Sequence, residues 1–228
     1  MAGLSTPKAW LARLAALDSC ACSDAMDQLG LAGVAPGIRG LTVAHRVAGP
    51  VITVELGLIG SAAQGGRHLG TAAIEAARPG DVIVVAAGGR VDAAGWGGVL
   101  SLAAVMRQVS GVIIDGACRD VDESTALGLP VYALTAVPAT ARGRHVEVGW
   151  NRPVQVAGIA VNPGDLVVAD GSGVVFLPAT RAAEIIAAAE QIVAKEAAMA
   201  SRIRAGEAVS SVLSAAYETM LNRAPDAP

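Results

Sequence analysis

At 228 residues the chain is long enough to bury a full core, and 53% hydrophobic against 3% aromatic residues means building that core from Ala, Val, Leu and Ile. A formal net charge of −3, from 17 basic and 20 acidic residues with no long run of either sign, argues against nucleic acid as the main partner. Mean hydropathy is +0.52, yet charges, Gly or Pro interrupt every apolar run before about 18 residues, so no segment is expected to span a bilayer.

Lys8 and Arg13 are not followed by the continuous apolar stretch of a signal peptide, and a soluble cytoplasmic protein is expected. The three cysteines give no disulfide framework. Cys20 and Cys22 lack a second pair to complete a zinc site and read as buried reduced thiols. Cys118 has no histidine nearby in sequence to activate it.

A first helix is predicted over 6–17. Ser23 then stands as N-cap to Asp24-Ala25-Met26-Asp27-Gln28-Leu29, a helix that stops at Gly30. Gly33, Pro36, Gly37 and Gly40 mark a loop. The segment 47–54 reads as a strand interrupted at Gly49-Pro50, and 67–77 as a helix ending before Pro79. Pro79-Gly80-Asp81 is a turn that launches the buried strand Val82-Ile83-Val84-Val85. Pro163-Gly164-Asp165 repeats it before Leu166-Val167-Val168-Ala169, and a duplication or a recurring turn solution explains the repeat equally well. Between the two copies come a helix over 98–109, a strand over 111–115, a helix over 120–127 and a strand over 130–134. The segments 154–161, 166–169 and 174–177 read as a β-meander. Without Gly or Pro, 180–203 forms one long helix; Gly206 breaks it, and a shorter helix over about 208–221 lies in a C-terminal tail, 208–222. A central sheet with helices around it and no linker gives an α/β fold, expected as a single domain over 1–228 with its core at about 10–207.

Strand ends that lead into helix starts are where α/β proteins place ligand chemistry. Here Gly98-Val99-Leu100 opens a helix, and the strand 112–114 runs into Gly116-Ala117-Cys118-Arg119-Asp120-Val121-Asp122-Glu123. Free amides at 98–100 attract an anion through unpaired N–H groups and the helix dipole. Arg119 offers a planar fork for a carboxylate, and Asp120 and Glu123 offer hard oxygens suited to Mg²⁺ or Mn²⁺. Each feature also has a purely structural reading: Asp120 and Glu123 have capping-box spacing, Arg119 can pair with a surface carboxylate, and Gly97-Gly98 can form a tight turn. If the two segments lie side by side, they suit a 2-oxo acid chelated to a divalent metal that stabilises its enolate. Carbon–carbon cleavage or decarboxylation next to a 2-oxo group is the chemistry that follows.

The pattern Gly98, twenty residues, Arg119-Asp120, two residues, Glu123 resembles the signature of the RraA-like family of divalent-metal-dependent (class II) pyruvate aldolases. That family includes the 4-hydroxy-4-methyl-2-oxoglutarate and 4-carboxy-4-hydroxy-2-oxoadipate aldolases, and its fold includes the regulator of ribonuclease activity A. Ser23-Asp24-Ala25-Met26-Asp27, Gly49-Pro50, Pro79-Gly80-Asp81-Val82, Gly111-Val112-Ile113-Ile114-Asp115-Gly116, Leu127-Gly128-Leu129-Pro130-Val131 and Asn162-Pro163-Gly164-Asp165 resemble family segments too, over roughly residues 10–207. The resemblance implies an α/β sandwich like a swivelling phosphohistidine domain, in homotrimers or homohexamers with sites between subunits. By the same resemblance Arg119 binds the pyruvyl carboxylate and carbonyl with the backbone of Gly97, Gly98, Val99 and Leu100. Asp120 contacts Mg²⁺ or Mn²⁺, Glu123 sits in the outer shell, and Glu196 of a neighbour's C-terminal helix completes it, with Glu190 as the other candidate.

One position departs from the pattern. Family aldolases carry Asp or Glu where this chain has Gly98, and there the acid and the arginine hold a water that protonates the enolate. Asp92 is the nearby acid that can replace it. His68 stands where the family often has His; His45 and His145 lie in loop-like polar contexts. Gly171-Ser172-Gly173 is no dinucleotide fingerprint, because a strand follows it. The resemblance implies a lyase that cleaves a 4-hydroxy-2-oxo acid to pyruvate and decarboxylates oxaloacetate. A non-catalytic docking protein, or a related lyase or isomerase with an altered substrate, is the alternative that Gly98 raises.

Overall fold

The computed structural model of the chain describes residues 8–60 and 68–213. Helices α1 (Lys8–Ala16) and α2 (Ser19–Gln28) come first, then β1 (Arg39–Gly40), β2 (Val47–Leu58), α3 (Thr71–Ala76), β3 (Val82–Trp96), α4 (Gly98–Met106), β4 (Gly111–Cys118), α5 (Val121–Ala126) and β5 (Val131–Ala136). The second half holds β6 (His145–Trp150), β7 (Val154–Val156), β8 (Ile159–Val161), β9 (Leu166–Asp170), β10 (Gly173–Leu177), α6 (Ala182–Arg204) and α7 (Val209–Val212). The fold is mixed α/β, with a central sheet and a long C-terminal helix, as the sequence predicts.

The sheet runs β1-β5-β4-β3-β2-β9-β10, with β6 also paired to β2 and β7-β8 as a separate hairpin. Strands β2, β3, β4 and β5 are parallel neighbours, which need crossover connections; α3, α4 and α5 supply them. Their uninterrupted apolar runs follow from burial on both faces. Ile83, Val85, Val112 and Ile114 pack with Leu69, Ile74, Leu100 and Ala104 of the α3–α4 layer. Val82, Val84 and Ile113, one residue out of phase, face Val154, Val156 and Val161 of the β7-β8 hairpin and Val167, Val174 and Phe176. Leu166, Val168, Val175 and Leu177 alternate to a third cluster with Leu14, Met26, Ile185 and Ile186 of α1, α2 and α6.

Both Pro-Gly-Asp turns adopt one geometry. Gly80 and Gly164 have φ of +92° and +87°, the left-handed region that glycine permits at the third position of a type II turn. Asp81 Oδ2 accepts from Arg78 N at 2.8 Å, and Asp165 Oδ2 from Asn162 N at 2.7 Å. One turn opens the parallel strand β3 and the other the antiparallel strand β9. Different strand contexts after the same turn favour a recurring turn solution over a duplication.

Several boundaries differ from the sequence reading. Asp18, not Ser23, caps α2: its carboxylate accepts from Ala21 N at 2.8 Å, and the helix starts at Ser19. Ser19 is fixed there by Asp170, which accepts from its backbone N–H at 2.8 Å and its hydroxyl at 2.7 Å. The strand at 47–54 is not broken at Gly49-Pro50. There β2 changes partner, from β9 over 47–50 to β3 from Val51 onward, so Pro50 needs no second ladder bond. The helix expected over 67–77 is only Thr71–Ala76, with residue 67 outside the described set, and β3 continues to Trp96. The expected meander is two hairpins, only the second of which joins the main sheet. Strand β6 went unpredicted, and residues 6–7 and 214–222 of the expected terminal helices lie outside the described residues.

Candidate functional site

The parallel pairing of β3 and β4 brings Trp96 opposite Cys118, so the carboxyl ends of the two strands finish side by side. Gly97 and α4 continue from one, Arg119 and Asp120 from the other, and Arg119 N donates to Trp96 O at 3.0 Å. The two sequence segments therefore meet, as the site reading requires. In the first turn of α4, the amides of Val99 and Leu100 have no acceptor within the helix.

Asp120 occupies the N-cap position of α5 with φ 55° and ψ 43°, a left-handed conformation uncommon for a residue with a side chain. Its side chain does not cap α5, so the capping-box reading fails. Its Oδ2 instead accepts from Gly98 N at 2.9 Å and lies 3.3 Å from Arg119 Nε. The strained backbone thus turns this carboxylate across to the neighbouring helix start.

At both glycines an added side chain would meet the groups of this site. A Cβ on Gly97 would lie 2.8 Å from Asp120 Oδ2 and 3.2 Å from Arg119 Nε. A Cβ on Gly98 would land on Glu123 Oε2 and lie 3.2 Å from Asp120 Cβ. The space beside position 98 is thus held by the Glu123 carboxylate. Asp92 does not fill it: its carboxylate takes a two-pronged bond from Arg90, at 2.9 and 2.7 Å, and does not line the cleft.

A cleft of about 190 Å³ opens over these groups, lined by Gly97, Gly98, Val99, Leu100, Arg119 and Asp120. Its size suits a small organic acid rather than a nucleotide. His68, Thr140 and Arg142 line it as well. His68 is exposed and precedes α3 instead of lying within a helix. Thr140 and Arg142 were missed by sequence reasoning, because the loop after β5 carries no motif; its basic Arg142-Gly143-Arg144 run was the available signal. Also missed was a buried relay beneath the site. Trp96 Nε1 donates to Ser101 Oγ at 2.9 Å, and Ser101 Oγ lies 2.8 Å from Ser124 Oγ, tying β3, α4 and α5 together.

Other candidates fall elsewhere. Glu190 takes a two-pronged bond from Arg13 at 2.7 and 2.6 Å. Glu196 is exposed on α6; burial first, then the carboxylates of Asp24 and Asp18, hold its pKa above the usual range. Asp120 is not among the charges that act on it within the chain. His145 is buried at the start of β6, not in a loop, with Nε2 3.3 Å from Ala93 O, and burial lowers its pKa. Cys118 is buried and its thiol is pushed up to about 11, first by desolvation, so it is no nucleophile at neutral pH. Cys22 is buried with its thiol pushed up to about 12, again first by desolvation, whereas Cys20 is exposed, contrary to expectation.

Among the described residues no group of three or more His, Cys, Asp or Glu side chains gathers as a metal cage. The donors present, the Asp120 and Glu123 carboxylates converging beside Gly98, still fit Mg²⁺ or Mn²⁺. Such ions commonly take one or two carboxylates and keep several waters.

A helix start with free amides, an arginine and hard-oxygen donors thus lie together at the ends of parallel strands in an α/β protein. A family profile, RraA-like and described as Aldolase/RraA, matches residues 19–176, and the chain belongs to that family. It is 33% identical over 156 residues to a Halalkalibacterium halodurans protein with the provisional name 4-hydroxy-4-methyl-2-oxoglutarate aldolase, covering 68% of this chain and 70% of that one. It is 27% identical over 176 residues to Protein DlpA of Legionella pneumophila, covering 77% of this chain but only 28% of DlpA. The crystal structure of Streptomyces coelicolor RraAS2, described as an unusual member of the RNase ES inhibitor RraA protein family, aligns with a TM-score of 0.75 at 26% identity. That alignment covers 85% of this chain and 96% of RraAS2. The family thus holds members named for a lyase activity and members named for inhibition.

Proposed function

We propose that the protein is a Mg²⁺- or Mn²⁺-dependent lyase that cleaves a 4-hydroxy-2-oxo acid, such as 4-hydroxy-4-methyl-2-oxoglutarate, to release pyruvate. Oxaloacetate decarboxylation is a side reaction through the same enolate. The observation that carries this reading is the convergence of Arg119, the first-turn amides of α4 and the Asp120 carboxylate on one small cleft. The Arg119 guanidinium and the Val99 and Leu100 amides hold the substrate carboxylate and orient the 2-oxo group. Gly98 N and Arg119 Nε fix the Asp120 carboxylate, so its free oxygen is presented without side-chain search. Asp120 and Glu123 hold the divalent ion, which when bound supplies Lewis acidity at the 2-oxo oxygen.

The working unit in this reading is a homotrimer or homohexamer in which a neighbour's Glu196 joins the metal's outer shell. Two features support it: Glu196 is exposed, and α4 turns an apolar face outward beside the cleft, with Val99 83%, Leu102 49% and Met106 75% exposed. No helix among the described residues is long and apolar enough to cross a membrane. Gly98 favours a second reading, in which the fold is kept for docking and the cleft is silent.

Pyruvate release, coupled to lactate dehydrogenase and measured with 4-hydroxy-4-methyl-2-oxoglutarate and oxaloacetate, separates the two. The lyase reading expects release with Mg²⁺ that stops in EDTA. No release from either substrate by the folded protein would overturn it and leave the docking reading.

A further inference from the structure

The cleft holds more positive charge than one substrate carboxylate needs. Arg119 lies 3.3 Å from Asp120, so its charge is already partly answered inside the site. Arg142 lines the same cleft from a different wall, the loop that follows β5, and that loop is pinned to β3 by Ala94 N donating to Ala139 O at 3.0 Å. Its backbone N–H donates to Thr140 Oγ1 at 3.2 Å, which sets the turn. No carboxylate among the described residues pairs with its guanidinium. The neighbouring arginines are committed: Arg90 to Asp92, Arg152 to Glu55, and Arg144 to Thr140 O. Among the described residues, Asp120 is the one acidic side chain in the cleft lining, against two arginines and His68.

We infer that Arg142 is a specificity-determining residue: it binds a second anionic group on the substrate, so the cleft selects 2-oxo dicarboxylates over 2-oxo monocarboxylates. The inference rests on the small-acid site proposed above. With the pyruvyl carboxylate on Arg119 and the α4 amides, a monocarboxylate leaves Arg142 facing an apolar chain end. A dicarboxylate of the same length offers it two oxygens that suit its planar donor fork. The contact acts on the part of the substrate that leaves, so it bears on selection and not on enolate chemistry.

The test uses matched five-carbon acids, 2-oxoglutarate and 2-oxopentanoate, which differ only in the distal carboxylate. Their dissociation constants are measured by calorimetry on the full chain with Mg²⁺, for wild type, Arg142→Gln and Arg119→Ala. Wild type is expected to prefer the dicarboxylate about three- to tenfold, with the preference shrinking as salt is added. Arg142→Gln is expected to bring the ratio near one, and Arg119→Ala to weaken both acids. An undiminished preference in Arg142→Gln would overturn this inference and leave the site intact. Failure of both acids to bind wild type would overturn the inference together with the site reading beneath it.

Discussion

Gly98 is the residue that divides the lyase proposal from the docking alternative. Its missing side chain leaves room that the Glu123 carboxylate occupies, so the two positions compete for one volume. The far end of an exposed glutamate moves easily, and Gly98 has no left-handed φ that a side chain would oppose. Gly98→Ala is therefore expected to keep stability within about 1 kcal/mol, checked by urea unfolding, while driving Glu123 aside. If Glu123 helps hold the metal, Mn²⁺ affinity falls in Gly98→Ala and in Glu123→Gln alike, with little further loss in the double variant. Additive losses would show that Gly98→Ala acts on the metal by a route other than Glu123. The cysteines give a second prediction at this scale. An aromatic disulfide reagent at pH 8 is expected to modify Cys20 rapidly in the native protein and Cys22 and Cys118 only after denaturation, because burial holds those two protonated.

Elements succeed in the sequence where one cause dominates. The runs Val82-Ile83-Val84-Val85 and Val112-Ile113-Ile114 are buried on both faces, so their type is legible without knowing their partners. The start of α2 was misplaced because Asp18 and Ser23 both satisfy the capping pattern; the choice is made by Asp170, 151 residues from Ser19. Strand β6 was missed because only His145 and Gly149 in it are fully buried, and its place beside β2 is a tertiary matter. The site was legible as residue types but not as geometry. Nothing local reveals that Asp120 would turn from its own helix to Gly98 N, since that needs β3 and β4 to end together. The Trp96–Ser101–Ser124 relay sustains that alignment, and Ser124→Ala removes one of the two buried partners of the Ser101 hydroxyl, leaving only Trp96 Nε1. Thermal unfolding is expected to show a loss of about 1–3 kcal/mol; an unchanged midpoint would mean the relay adds nothing.

At the scale of the whole molecule, three apolar clusters join neighbouring layers: the α3–α4 layer to the sheet, the sheet to the β7-β8 hairpin, and β9-β10 to the α1–α2–α6 layer. His145 makes its stability pH-dependent. Burial lowers the folded-state pKa, so the unfolded chain binds the proton more readily and stability falls as pH drops through the ordinary histidine range, about 6.5. The stability advantage of wild type over His145→Gln is therefore expected to be larger at pH 7.5 than at pH 5.5; an advantage that grows toward acid would contradict the burial argument. The central claim is that Arg119, the α4 amides and Asp120 form a single site for an acid and a divalent ion. The most direct test is calorimetric titration with oxalate, a compact mimic of the pyruvate enolate, with and without Mg²⁺. The account predicts binding that requires Mg²⁺ and is lost in both Arg119→Ala and Asp120→Asn. Oxalate binding that ignores the metal, or survives either substitution unchanged, would contradict it.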